Sequence, residues 1–226
     1  MQSPIQSSMQ PSITKPLVSL AGPRATRRDF LYVATAAVSA FGAAACLVPL
    51  IDQMNPDAGT LAAGAPIDID LGKVEPGQQV VFRWRERPVF VTHRTPEMLR
   101  ALQDPQLVSQ LADPQSDELQ QPPYARNWHR SVKPDYGLVI GICTHLGRIP
   151  MFYPQPNAGS PAQNWLGGYF CPCHGSKYDL AGRVFSGVPA PYNLPVPPHR
   201  YVSDTLVRVG ENPEGVSFDF GSIRQI

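Results

Sequence analysis

Two short stretches of the chain concentrate residues that can bind a metal. The first is CTHLGR at residues 143–148, and the second is CPCHGSKYD at residues 171–179. Together they contain three of the four cysteines and two of the five histidines in the chain. Thiolates and neutral imidazoles are ligands for zinc and for iron–sulfur clusters. The pattern therefore indicates a metal centre built from two loops.

Four positions in these stretches form a complete ligand set, namely Cys143, His145, Cys171 and His174. Two thiolates and two imidazoles suit a tetrahedral zinc ion and an iron–sulfur cluster equally well, so the number of ligands leaves both open. The flanking residues favour the cluster. Ser176 and Tyr178 carry hydroxyl groups that can donate hydrogen bonds to sulfur ligands, and a zinc site has little use for such donors.

An uncharged apolar run precedes the two stretches. It covers residues 30–51, and a helix of that length crosses the ~30 Å hydrocarbon core of a bilayer. The run is longer than the apolar part of a cleaved signal peptide, so we expect a retained membrane anchor. Paired arginines in TRRDFL, residues 26–31, resemble a bacterial twin-arginine export signal.

The charges around the run predict its orientation. Four basic residues precede it (Lys15, Arg24, Arg27 and Arg28), whereas Asp52 and Asp57 follow it. This bias keeps the N-terminus in the cytoplasm and places the rest of the chain outside. The next residues, 52–65, are rich in Gly and Ala and lack apolar periodicity, which predicts a flexible tether.

Short segments of β-branched and aromatic composition alternate with turns from Pro66 onward. We expect strands at 67–70, 79–84, 88–92, 136–142, 167–170, 205–209 and 216–220. Residues 95–112 are predicted to be helical, with Thr95 as the N-cap and a break at Pro105. The predicted fold class is mainly antiparallel β, preceded by one transmembrane helix.

The expected organisation therefore has four parts. They are a cytoplasmic tail at 1–29, a transmembrane helix at 30–51, the tether at 52–65 and a folded head domain at 66–226. A net charge of +1, without Lys/Arg runs interleaved with aromatic residues, argues against a nucleic-acid partner. Three histidines outside the two stretches, His93, His129 and His199, have no neighbours at ligand spacing and are expected to be solvated or packed.

The chain resembles the Rieske iron–sulfur subunits of the cytochrome bc complex, ubiquinol–cytochrome c reductase. The resemblance is carried by TRRDFL, QMNP, PVFVTHRTPEML, CTHLG, CPCHGSKYD, AGRVFSGVPAP and YVSDT, which together span nearly the whole chain. It implies a Rieske-type head whose cluster-binding part covers about 137–198, with one [2Fe–2S] cluster. Cys143 and Cys171 would bind the inner iron and His145 and His174 the outer iron, with hydrogen bonds to the cluster sulfurs from Ser176 and Tyr178.

The implied activity is electron transfer from quinol to a c-type cytochrome subunit, within a complex that also contains cytochrome b and is dimeric. His174, with His145 beside it, is expected to contact the quinol and accept its proton. Imidazoles in place of thiolates make the cluster less negative, which implies a high reduction potential. The implied location is the bacterial inner membrane, with the head in the periplasm. The proline-rich residues 187–198 are expected to form a rigid loop over the cluster, and Leu146 an apolar tip beside it.

One position departs from the family pattern. Members usually have a second cysteine where this chain has Arg148, and that cysteine forms a disulfide with the middle cysteine of CPCH. Cys173 is therefore expected to lack a disulfide partner, since Cys46 lies in the apolar run. The departure affects the clamp between the two loops and leaves the ligand set intact.

The same residue pattern also fits other functions. The small subunit of a periplasmic arsenite oxidase also combines a twin-arginine signal with a Rieske cluster, although the tether and the GVPAP loop favour the reductase. A zinc-stabilised binding module would use the same four ligands without redox chemistry and would be colourless. A soluble Rieske oxygenase component is disfavoured by the anchor.

Overall fold

The computed structural model of the protein describes residues 26–57, 59–60, 64–155 and 165–224. The chain forms two units, residues 1–56 and 57–226, which are described separately. The predictions for the tail before Thr26, including Lys15 and Arg24, lie outside the described residues. The same holds for Ala58 and residues 61–63 of the expected tether.

The described part of the first unit contains one helix, α1 (Arg27–Asp52). Thr26 is its N-cap: the Thr26 hydroxyl accepts from the Asp29 amide at 3.3 Å, and the Asp29 carboxylate accepts from the Thr26 amide at 2.8 Å. This capping box explains why the helix begins three residues before the apolar run. Helix α1 is long and apolar enough to cross a membrane, and none of its residues is buried within the structure.

The described part of the second unit contains three antiparallel sheets of three strands each, in the orders β1-β9-β8, β2-β3-β4 and β5-β6-β7. The strands are β1 (Ile67–Asp70), β2 (Gln79–Trp84), β3 (Arg87–His93), β4 (Tyr136–Ile140), β5 (Met151–Tyr153), β6 (Gly168–Cys171), β7 (Ser176–Tyr178), β8 (His199–Tyr201) and β9 (Leu206–Val209). The predicted fold class, mainly antiparallel β with one N-terminal apolar helix, is confirmed.

Two short helices connect β3 to β4, namely α2 (Pro96–Ala101) and α3 (Pro105–Val108). Thr95 caps α2 by accepting from the Met98 amide at 3.3 Å, and Asp104 caps α3 by accepting from the Gln106 amide at 2.8 Å. The predicted cap and the predicted break at Pro105 are both confirmed. Single 3₁₀ turns occur at Leu71–Lys73, Pro123–Ala125 and Phe220–Ser222.

Strands β3 and β4 are shared between two hydrophobic cores, because successive side chains of a strand point to opposite faces. Val89 and Val91 pack into a first core with β1, β2 and β9, whereas Phe90 packs into a second core. The second core also contains Cys143 and Cys171. The two cysteines of the predicted ligand set are thus held by the packed interior of the second unit.

The strand predicted at 216–220 is wrong. Phe218 and Phe220 pack on the first core, with the Phe220 ring centroid 5.5 Å from that of Trp84. The Asn212 side-chain amide donates to the Phe218 carbonyl at 2.8 Å, and a 3₁₀ turn begins at Phe220. The apolar alternation therefore reflects packing of individual side chains on the core. The strand predicted at 136–142 ends at Ile140, because the Ile142 amide turns back to the Ile140 carbonyl.

Candidate metal centre

The two loops with the predicted ligands lie at the same end of the sheet β5-β6-β7. Cys171 ends β6 and is paired with Ser176 at the start of β7, so residues 172–175 form the connecting turn. Met151 begins β5 and is paired with Phe170, the neighbour of Cys171. The first loop, residues 141–150, leads into Met151 and therefore reaches the same edge.

The same local geometry closes both loops. The Gly147 amide donates to the Cys143 carbonyl at 2.9 Å, and the Gly175 amide donates to the Cys171 carbonyl at 3.0 Å. Both glycines have left-handed backbones, with φ of +77° and +80°, which a side chain would strain. Each loop therefore contains a five-residue turn that begins at a predicted ligand cysteine and includes a predicted ligand histidine.

The four predicted ligands lie in two pairs of different depth. Cys143 and Cys171 are 1% and 2% exposed, whereas His145 is half-buried and His174 is exposed. The two imidazole rings meet edge to face, with centroids 4.7 Å apart. Burial raises the pKa of the Cys171 thiol to about 11, and the neighbouring Cys143 thiol adds to this rise. The loops thus present a buried thiol pair beneath an accessible imidazole pair.

Both predicted hydroxyl residues are buried next to this site. The Tyr178 hydroxyl donates to the Cys143 sulfur at 3.3 Å and accepts from the Thr144 amide at 3.1 Å. Burial raises the pKa of Tyr178, so the phenol remains a neutral donor. Ser176 accepts from the Ala190 amide at 3.1 Å, which leaves its hydroxyl proton available to another acceptor.

The proline-rich segment 187–198 is bonded to both loops. Its Ala190 amide donates to Ser176 behind the second loop, and its Tyr192 carbonyl accepts from the Thr144 hydroxyl of the first loop at 2.7 Å. Thr144 is fully buried between two predicted ligands. Sequence reasoning did not single it out, and its only signal was a hydroxyl residue between Cys143 and His145. The segment therefore links the two loops non-covalently.

Arg148 and Cys173 are both exposed, and Cys173 is a free thiol. The Arg148 carbonyl accepts from the Cys143 amide at 2.7 Å, so its main chain helps to close the first loop. Leu146 is 68% exposed at the tip of this turn, and Ile149, two residues after the turn, is 59% exposed. The tip beside the imidazole pair is therefore apolar.

The other three histidines are held away from this site. In each of them Nδ1 lies within hydrogen-bonding distance of a nearby oxygen atom. The distance is 2.7 Å from His93 to the Val74 carbonyl, 2.8 Å from His129 to the Ser131 hydroxyl and 2.9 Å from His199 to the Pro197 carbonyl. The sequence predicts that they are solvated or packed, and the structure shows each of them packed against a local oxygen acceptor or hydroxyl. Burial lowers the pKa of His129 and of His199 to about 4, so both stay neutral at physiological pH.

Comparison with known proteins gives consistent relatives. A family model described as "Ubiquitinol-cytochrome C reductase Fe-S subunit TAT signal" matches residues 20–57. Proteins named "Ubiquinol-cytochrome c reductase iron-sulfur subunit" are 49% identical in Allochromatium vinosum, over 86% of this chain and 93% of that protein, and 50% identical in Blastochloris viridis, over 82% and 93%. A chain of the solved "Hyperthermophilic respiratory Complex III" aligns with a TM-score of 0.43 and 23% identity, over 78% of this chain and 98% of that chain. That score is too low to support a conclusion by itself.

Proposed function

Since this chain belongs to the family of iron–sulfur subunits of ubiquinol–cytochrome c reductase, we propose that its two loops hold one [2Fe–2S] cluster and that it transfers electrons from quinol to a c-type cytochrome. The relatives are reductase subunits, which favours this function over an arsenite oxidase subunit. Their iron–sulfur character likewise disfavours a zinc-stabilised module.

The donor set fits such a cluster. One iron would take the buried thiolates of Cys143 and Cys171, and the other would take the imidazoles of His145 and His174. Because burial raises the pKa of Cys171 to about 11, its thiolate needs a positive charge beside it, which bound iron supplies. When bound, a cluster with two histidine ligands accepts and releases one electron at roughly −150 to +300 mV.

The chain's own residues would perform the proton and docking steps. His174 is exposed, so its imidazole can accept a hydrogen bond from a quinol hydroxyl and then hold the proton, with His145 as its neighbour. Leu146 supplies apolar surface suited to a quinone pocket. Tyr178 keeps its hydroxyl proton directed at a ligand sulfur, which draws electron density from that sulfur.

A membrane-spanning helix α1 would locate the electron transfer at a membrane. Helix α1 would hold the protein in the bacterial inner membrane, with the N-terminus in the cytoplasm and the second unit in the periplasm. The partners would be cytochrome b and a c-type cytochrome subunit, in a dimeric complex. Residues 52–65 would act as the tether that lets one head reach both electron donor and acceptor.

The observation that carries the proposal is the separation of the ligands into a buried thiol pair and an accessible imidazole pair. The test is an EPR spectrum of the dithionite-reduced full-length protein, together with iron and sulfide analysis. We expect a Rieske-type spectrum with about two irons and two sulfides per chain, as the cluster composition requires. A colourless protein that contains zinc would contradict the proposal.

A further inference from the structure

Among the described residues of the second unit, four charged side chains are buried and are here called the buried arginine cluster: Arg94, Arg130, Arg183 and Asp179. Their exposed fractions are 2%, 0%, 1% and 1%. Burial lowers the pKa of Arg130 to about 9, which still leaves it protonated at neutral pH. The interior of this unit therefore contains three guanidinium cations, although charged side chains are rarely fully buried.

Neutral groups fix the position of two of these cations. Arg130 donates to the Leu194 carbonyl at 2.7 Å and to the Gln121 side-chain oxygen at 2.8 Å. Arg94 donates to the Pro134 carbonyl at 3.0 Å and to the Ser131 hydroxyl at 3.2 Å. These bonds hold the guanidinium groups in place without cancelling their charge.

The negative charges around the cluster do not balance it. The carboxylates that act on Arg94 and Arg130 are those of Asp179 and Asp113. Asp179 is paired with Arg183 at 2.6 Å, whereas Asp113 is only half-buried. The three guanidinium cations are thus accompanied by two carboxylates, so the cluster and its surroundings keep a net positive charge. Among the described residues, Arg94 Nε and Nη2 and Arg130 Nε also have no hydrogen-bond partner.

The backbone is shaped to admit these cations. A Cβ atom added at Gly137 would lie 2.5 Å from Arg94 Nη2, and one added at Gly182 would lie 3.3 Å from Arg130 Nη1. Glycine on β4 and in the turn after β7 therefore leaves space for the guanidinium groups. The backbone thus makes room for buried guanidinium groups whose charge is only partly neutralised. Packing alone does not account for this arrangement.

The buried arginine cluster adjoins the elements that carry the thiol ligands. Thr92, two residues before Arg94, has its hydroxyl 3.1 Å from the Tyr169 hydroxyl, and Tyr169 lies on β6 two residues before Cys171. Asp179 directly follows Tyr178, whose hydroxyl donates to the Cys143 sulfur. Charges and sulfurs are buried in the same unit, so their interaction is screened less than it would be at the surface.

We propose that the buried arginine cluster provides a fixed positive field that stabilises the reduced form of the iron–sulfur cluster and so raises its reduction potential. The inference rests on the proposed function. Reduction adds one negative charge at the ligand site, and a fixed cation lowers the energy of that charge. Asp179 opposes this effect, so the arginines and the carboxylate act on the potential with opposite signs.

The test uses the full-length protein in membranes and follows the EPR signal of the reduced cluster during a redox titration. Arg94→Gln removes a charge and should lower the reduction potential, whereas the matched control Arg94→Lys keeps the charge and should leave it close to that of the unmodified protein. Asp179→Asn removes a negative charge and should raise the potential. If these residues only supported packing, Arg94→Gln and Asp179→Asn would not shift the reduction potential in opposite directions.

An unchanged potential in Arg94→Gln, or an equal fall in Arg94→Gln and Arg94→Lys, would overturn the inference. The comparison of Arg94→Gln with Arg94→Lys tests the inference by itself, even if Asp179→Asn fails to fold. A Rieske signal in the unmodified protein with no shift in Arg94→Gln would refute the electrostatic role and leave the proposed function standing. Absence of that signal from the unmodified protein would refute both.

Discussion

Tyr178 and Cys143 are 35 residues apart in the chain, yet the Tyr178 hydroxyl donates to the Cys143 sulfur at 3.3 Å. The same hydroxyl accepts from the Thr144 amide at 3.1 Å, so strand β7 is bonded directly to the first loop. Thr144 in turn donates to the Tyr192 carbonyl of the proline-rich segment. These bonds form a non-covalent clamp between β7, the first loop and the proline-rich segment.

Removal of the Tyr178 hydroxyl should affect both potential and stability. Tyr178→Phe loses the donor to sulfur, so we expect a lower reduction potential in a redox titration. It also leaves the buried Thr144 amide without its acceptor, which should lower the free energy of unfolding by about 1–3 kcal/mol. Tyr192→Phe is the matched control, because Tyr192 contributes its carbonyl to the clamp. Equal potentials in Tyr178→Phe and the unmodified protein would contradict the assigned role.

A cysteine introduced at position 148 should strengthen the clamp. We expect Arg148→Cys, after oxidising export, to form a disulfide with Cys173, because both positions are exposed on the two loops. Closing a loop of about 25 residues stabilises by roughly 3 kcal/mol in the chain-entropy model, so the cluster absorbance should decay more slowly at elevated temperature. Arg148→Ser should decay at nearly the original rate. A full free-thiol count in Arg148→Cys would show that the loops are not apposed.

Loss of a ligand should abolish the cluster. Cys171→Ala removes a buried thiol and His174→Ala removes an accessible imidazole, and either leaves one iron under-coordinated. Iron and sulfide analysis should find little of either element in both variants. His129→Gln alters a histidine outside the two loops and should retain the cluster. Full iron and sulfide content with an unchanged spectrum in either ligand variant would refute the ligand assignment.

A stiffer tether should slow turnover without changing the cluster. Several prolines introduced between Met54 and Ala65 should reduce the rate of electron transfer from quinol to cytochrome c, because they restrict movement of the head. Serine substitutions at the same positions keep the segment flexible and should have little effect. The measurement is steady-state turnover in membranes beside the EPR intensity. Full turnover in the proline variant would indicate a head that does not move.

Gly168 should be far less tolerant of substitution than Gly187. Gly168 has a φ of +134°, and an added Cβ would collide with the Tyr178 carbonyl on the neighbouring strand β7. Gly187 has a φ of +72° with open space around it. We expect Gly168→Ala to lower the free energy of unfolding by more than about 2 kcal/mol and Gly187→Ala by about 1 kcal/mol. Similar thermal stability of the two variants would contradict this packing.

Local sequence patterns were sufficient for several features. The Cys-x-His and Cys-x-x-His spacings predicted two loops at one site, and each spacing lies in a turn that is closed within five residues; ligation by these residues stays a prediction. The cap at Thr95 and the break at Pro105 follow from the same kind of short-range chemistry. The apolar run predicted helix α1, since its length and composition are themselves the criterion for a membrane span.

Strand prediction from the sequence failed where the alternation of apolar residues was too short or had another cause. Strands β5, β7 and β8 have three residues each, too few to show a period, and they exist because neighbouring strands supply their hydrogen bonds. Residues 216–220 alternate like a strand, but Phe218 and Phe220 use that alternation to pack on a core that other segments build.

The surroundings of the ligands were decided by the tertiary structure alone. The contact of Thr144 with Tyr192, the bond from Tyr178 to Cys143 and the gathering of Arg94, Arg130 and Arg183 join residues that are 35 to 89 positions apart. No local pattern encodes such contacts, because they arise only when the sheets and the proline-rich segment pack together. The sequence by itself determined which residues are predicted to bind the cluster, whereas the packing of the second unit determined the hydrogen bonds and charges that surround them.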